Sequence, residues 1–214
     1  QDVLKLNIKE QGSVFVLGKE IMGINNYYIS EETIKILNEI ETKDKILYNL
    51  FNGEILNGKF KKDEKLMTQK IALGGSVIPW TEKSELCAYY VMRAPISIKI
   101  FLDDKKKARG YYYLDDGLSY DNEGHYAYIE ILFIENKINI RNINVSNDVG
   151  SGKIKDIIPI WNCIEIYGFN DKINTILLDE KDSLKFQIGK NNGIKIELSE
   201  KNIKAFLPIN IYIK

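Results

Sequence analysis

The chain of 214 residues has two cysteines, one histidine and four prolines, and the first two shortages exclude whole classes of chemistry. Cys87 and Cys163 stand far apart with no second pair beside either, and His125 has no other histidine to share a metal with. A zinc site needs three or four Cys, His or carboxylate ligands, so no metal site is expected. The two cysteines read as buried thiols, and the alternative, a disulfide closing the long loop between them, would contribute about 4 kcal/mol. A Cys-His nucleophile pair would need His125 beside one of them, and Cys163 falls in an apolar run that favours an inert thiol.

Neither sign of charge is in excess. Thirty basic residues balance thirty acidic ones, without the clustered basic surplus that nucleic acid or an anionic membrane surface requires. No apolar run approaches the roughly 20 residues of a membrane-crossing helix, and residues 1 to 20 lack signal-peptide patterning, so any targeting signal is expected outside this chain. No G-x-S-x-G, Walker-type or G-x-G-x-x-G motif occurs, and no cofactor is expected. One N-x-S triplet, Asn144-Val145-Ser146, would accept a glycan only in the secretory pathway.

What the chain does have is strand pattern. From about residue 96, β-rich runs recur at 96–102, 110–114, 125–134, 137–145, 158–169, 174–178, 183–188, 194–198 and 208–213, several alternating as Ile96, Ile98, Ile100 do. Period-2 alternation places apolar side chains on one face of a sheet, and E-N-K, D-E-K-D-S and K-N-N-G between runs are turn chemistry. The first 85 residues offer strands at 13–17, 45–51 and 76–80, and residues 30–41 read either as a helix capped by Ser30 or as a strand at 34–37. The expected fold is all-β, with two consecutive antiparallel β-sandwich domains, 1–84 and 85–214, joined at the polar stretch 81–85.

Two adjacent carboxylates, Asp115 and Asp116, precede Gly117 in A-R-G-Y-Y-Y-L-D-D-G-L-S-Y-D, residues 108–121. Paired carboxylates perform glycoside hydrolysis when they flank one bond, but adjacent residues of an extended chain point to opposite faces. The simpler reading is a hairpin corner, with Gly117 free to take positive φ and the aspartates bonding nearby amides. Tyr111, Tyr112, Tyr113, Tyr126 and Tyr128 read as sheet core and sheet face in preference to a sugar platform.

The same run resembles the G-x-L-(F/Y)-x-D-D-G-x-(S/T) signature of the distal C-terminal sandwich in family 31 glycoside hydrolases, the α-glucosidases. L-G-G-S-V-I-P (73–79), F-V-L-G-K-E-I-M-G (15–23) and I-L-Y-N-L-F-N-G-E (46–54) resemble further motifs of that family, in family order, and Pro159-Ile160-Trp161 matches a later element of its glucosidase II branch. The resemblance implies a proximal and a distal C-terminal β-domain without the catalytic barrel. It makes Gly74, Gly75, Pro79, Asp115, Asp116 and Gly117 structural residues, and it leaves the chain inert alone because the family's catalytic aspartates lie in motifs absent here. By the same resemblance the partners are the catalytic (β/α)8 barrel of a parent protein and a glucosidase II β-subunit, and the location is the endoplasmic-reticulum lumen or secretory pathway.

Lys19, Leu47, Asn49 and Leu73 depart from the family pattern, which has Asp, Trp, Asp and Arg there. These departures motivate a rival, a non-enzymatic structural or interaction module. A second rival, a carbohydrate-binding sandwich, would stack sugars on Trp80 or Trp161 and needs those rings exposed.

Overall fold

The computed structural model describes residues 14–17, 21–24, 35, 45–56, 70–81, 88–91, 93–115, 126–145 and 158–214. Among them β1 (Val14–Leu17), β2 (Ile21–Ile24), β3 (Leu47–Asn49) and β4 (Lys70–Leu73) form a four-stranded antiparallel sheet in the order β1-β2-β4-β3. The ambiguous stretch 30–41 lies outside the described residues except for Lys35.

The remaining strands are β5 (Ser76–Trp80), β6 (Ile96–Phe101), β7 (Ala108–Asp115), β8 (Tyr126–Ile134), β9 (Lys137–Val145), β10 (Trp161–Tyr167), β11 (Ile176–Leu178), β12 (Asp182–Ser183), β13 (Phe186–Ile188), β14 (Ile194–Glu197) and β15 (Ile209–Ile213). A short helix, α1 (Ala88–Val91), lies between β5 and β6. The eleven strands make one sheet, β12-β11-β15-β9-β8-β7-β5-β6-β10-β14-β13. Its two halves meet between β7 and β5 at a single bridge, Ser76 to Arg109, supplemented by the Arg109 amide donating to the Gly75 carbonyl at 3.0 Å. With so little pairing there the sheet curls, and the halves face each other as the two layers of a sandwich.

The core fills the space between those layers. Ile98, Ile100, Trp161, Ile164, Ile166 and Ile196 come from one layer, and Ile129, Ile131, Phe133, Ile138, Ile140 and Ile211 from the other. The Tyr112 and Trp161 rings meet at 6.0 Å across the gap. Alternation along each strand puts these side chains inside, and the Ile-rich composition suits a pleated, branched packing surface. The layer holding β6 has its other face covered as well. Ile78, Phe101 and Tyr167 pack there against Tyr48, Leu50 and Ala72 of the small-sheet region. Every residue of β6 is therefore buried, including Ser97 and Lys99.

The turns expected at E-N-K, D-E-K-D-S and K-N-N-G are present with the backbone their residues suggest. Glu135 and Asn136, between β8 and β9, have φ of 51° and 59°, the pattern of a type I′ hairpin, and Asp179, Glu180, Asn191 and Asn192 also have positive φ. Two corrections apply to the expectation of purely antiparallel sandwiches. β6 pairs with β10, and β5 touches β7, in parallel. The run 183–188 is two strands, not one: Leu184 turns into the core between β12 and β13. The change of sheet falls at Gly74–Gly75, ahead of the 81–85 stretch, and β5 pairs within the large sheet.

Candidate functional site

The glycine pair stands at the seam between the two sheets. The Gly74 amide donates to the Ile46 carbonyl at 2.7 Å, and the Gly75 amide donates to the Phe101 carbonyl at 2.8 Å, so successive amides bind the small sheet and β6. Gly75 has φ of +89°, where a side chain is strained, and a Cβ on Gly74 would sit 3.1 Å from the Leu102 carbonyl. The Ser76 hydroxyl closes the corner by donating to the Leu73 carbonyl. Pro79 lies on β5 opposite Ile98. Asp115 ends β7 opposite Tyr126, the first residue of β8, while Asp116, Gly117 and His125 lie outside the described residues, as does Cys87. Cys163 is buried on β10, its thiol 3.2 Å from the Ser97 hydroxyl.

Below the glycine pair, Tyr48, Phe101 and Tyr167 make an aromatic column. Tyr48 and Phe101 are 5.4 Å apart, and Phe101 and Tyr167 stack at 5.2 Å. Burial, reinforced by the Asp103 charge, pushes the Tyr48 hydroxyl up to about 12. Burial also raises the Tyr167 hydroxyl, which donates to Glu165 at 2.8 Å. Beside the column Lys99 reaches across the seam. Its ammonium donates to the Phe51 carbonyl at 3.2 Å, pairs with Glu165 at 3.4 Å and lies 5.2 Å from the centre of the Trp80 ring. A buried ammonium with an anion, a carbonyl and an aromatic face about it is a satisfied structural cation.

Three of the four departing positions are engaged inside the chain, and Lys19 lies outside the described residues. Leu47 and Leu73 are buried opposite each other on β3 and β4. Asn49 accepts from the Phe51 and Asn52 amides through Oδ1, organising its own loop. Trp161 is core and offers no open ring face for sugar stacking, while Trp80 has Lys99 over its ring and Phe51 perpendicular to it. A cavity of about 310 Å³ lies where β5 and β7 part, with Trp80, Thr81 and Tyr112 in its walls, and another of about 260 Å³ lies against Tyr167, Glu165 and Lys195. Among the described residues no group of three or more His, Cys, Asp or Glu converges as a metal site would.

A third cluster went unread in the sequence. Glu130 on β8 is only 1% exposed, and it accepts from Arg109 Nε at 2.7 Å and Arg141 Nε at 2.6 Å, from the strands on either side. Burial alone would raise its carboxyl, but the two arginines outweigh it and hold the group below the usual carboxylate range. The signal available was a charge inside the apolar run Y-I-E-I-L. The arginine partners follow only from strand register, which places Arg141 opposite Glu130.

No protein-family model matches the chain. It is 24% identical over 140 residues, 64% of its length, to a probable glucan 1,3-alpha-glucosidase of Oryza sativa subsp. japonica. It is 31% identical over 110 residues, 49% of its length, to neutral alpha-glucosidase AB of Dictyostelium discoideum. It spans only 15% and 12% of those two proteins. Its fold is that of part of the glucosidase II alpha subunit, with a TM-score of 0.69 at 15% identity over 94% of this chain and 24% of that one. The catalytic subunit solved in the ER glucosidase II heterodimeric complex with the binding domain of its regulatory subunit gives 0.63 at 16% identity, over 94% of this chain and 22% of that one. The resemblance to the C-terminal region of α-glucosidases carried by the Gly-Gly and Asp-Asp-Gly motifs thus holds in sequence and in fold.

Proposed function

We propose that this chain is the non-catalytic C-terminal β-portion of a family 31 α-glucosidase of the glucosidase II type. Residues 1–84 would be the proximal domain and 85–214 the distal sandwich, with β5 the strand the first contributes to the second. In this reading the parent's barrel carries the catalytic aspartates and trims α-linked glucose from N-glycans by a retaining double displacement in the endoplasmic-reticulum lumen. Gly74, Gly75, Pro79, Asp115, Asp116 and Gly117 serve the shape of the tail, and a glucosidase II β-subunit is the partner in trans. The observation that carries the proposal is the match over 94% of the chain to less than a quarter of a larger hydrolase subunit. The test is native purification followed by mass and peptide analysis of what accompanies the chain. A segment with a barrel and both aspartate motifs supports the proposal, and a chain found without one removes it.

The second reading, a structural or interaction module that keeps this architecture without activity, is favoured by Leu47, Leu73 and Asn49. Each is occupied inside the small sheet or its loop, where the family pattern has residues suited to polar or aromatic contact. A barrel found with its catalytic aspartates replaced would select it.

A further inference from the structure

Among the described residues the sandwich is covered unequally. The small sheet lies on the outer face of the β5–β6–β10 layer, whereas the outer face of β7, β8 and β9 is not covered by that sheet. That second face carries Tyr111, Tyr113 and Tyr128, which are 38, 44 and 36% exposed, and Ile143 at 45%. These are four of the nine large hydrophobic side chains exposed among the described residues, so nearly half of such surface is gathered on three adjacent strands. The rings are ordered in pairs: Tyr111 stacks on Tyr128 at 5.3 Å, and Tyr113 on Tyr126 at 5.8 Å.

At one end of this ladder stand Arg109 and Arg141, both on the Glu130 carboxylate, yet 58 and 56% exposed. Arg141 engages Glu130 through Nε, so its terminal amino groups remain as donors. Two guanidinium groups on one carboxylate leave a net positive charge, and the buried Glu130 fixes where both begin. The Arg109 guanidinium also lies 5.2 Å from the centre of the Tyr111 ring. Rigid tyrosines and pre-placed arginines are the residue types that dominate protein interfaces, because little side-chain entropy is left to lose on binding.

We propose that this face is the docking surface for a separate protein whose contacting segment carries carboxylates between apolar side chains. The carboxylates would meet the free donors of Arg109 and Arg141, and the apolar groups would lie along the tyrosine ladder. The charge of the face selects an acidic partner over a basic one. A sugar is the poorer occupant, because each stacked tyrosine already has one ring face on its neighbour, and Tyr111 has Arg109 over its ring as well. The proposal does not depend on the α-glucosidase reading.

The test titrates the isotope-labelled 214-residue chain with a short synthetic peptide alternating Glu and Phe, and separately with its Lys and Phe counterpart. The expected result is that the acidic peptide alone moves the Arg109 and Arg141 Nε–H signals and the Tyr111 and Tyr128 ring signals. Its affinity should fall about tenfold in Arg141→Gln and in Tyr111→Thr. Tyr111→Thr leaves Glu130, Arg109 and Arg141 in place, so unchanged core methyl signals separate lost binding from lost fold. Absence of any shift overturns the proposal, and so does equal binding of the basic peptide. The same tyrosine signals moving with maltotriose alone would assign the face to carbohydrate, and their moving with protein concentration alone would assign it to a second copy.

Discussion

The Tyr48 hydroxyl donates a 2.7 Å hydrogen bond to the Leu102 carbonyl, joining a strand of the small sheet to the residue that follows β6. Both atoms are buried and 54 residues apart in sequence, so the bond exists only when the two sheets are packed. Tyr48→Phe keeps the ring and strands a buried acceptor, and it should destabilise the chain by about 1–3 kcal/mol, read from the urea midpoint. An unchanged midpoint would mean that water reaches the seam.

The same hydroxyl sets a response to alkali. Its folded value, about 12, lies above the unfolded value of 10, so its contribution is complete below pH 10 and is lost as pH rises through about 12. Tyr112 and Tyr167, raised first by burial, act in the same direction. Stability measured from pH 8 upward should stay level and then fall above pH 10, and Tyr48→Phe should fall less steeply. A parallel decline in both chains would remove Tyr48 as a cause.

Glu130 gives the opposite limb. Its folded value is depressed, so the stabilisation is present above the ordinary carboxylate value of 4.5 and is lost as pH falls through the lower folded value. Glu130→Gln should cost roughly 2–3 kcal/mol at neutral pH, since an amide cannot accept from two arginines as a carboxylate does. The variant should also lose part of the acid dependence. Thermal unfolding between pH 7 and 3 checks both.

Close packing at glycines separates two substitutions that look alike in sequence. A Cβ on Gly110 would overlap the Val77 carbonyl oxygen and its backbone, where β7 crosses β5, whereas one on Gly189 would meet its nearest atom at 3.7 Å. Gly110→Ala should destabilise by more than about 2 kcal/mol, and Gly189→Ala should change stability by less than about 1 kcal/mol. Matched denaturant curves would show the difference.

Strand pattern made the second half of the fold legible. Runs such as I-S-I-K-I-F and I-K-I-E-L alternate cleanly, and E-N-K supplied its turn residues. β2 and β4 escaped notice because I-M-G-I and K-I-A-L are four residues each, without the branched alternation that marks a strand. The seam was less legible still. Alternation alone would turn Ser97 and Lys99 to solvent, and only the packing of the small sheet on β6 makes them interior. Glu130 was passed over although it is a charge in an apolar run, and its two arginines lie on neighbouring strands whose register the sequence does not display.

The strand after the glycine pair has a consequence for how the chain becomes a protein. β5 follows the last strand of the small sheet directly in sequence but belongs by hydrogen bonding to the large sheet, where it lies against β6 along its full length. A fragment begun at residue 85 would expose the long edge of β6, an invitation to intermolecular pairing, and a fragment stopped before β5 would leave the apolar side of the small sheet without its floor. The two parts are therefore one cooperative unit. They should unfold in a single transition, and in synthesis the small sheet has to wait for β6 and β10 before it is stable.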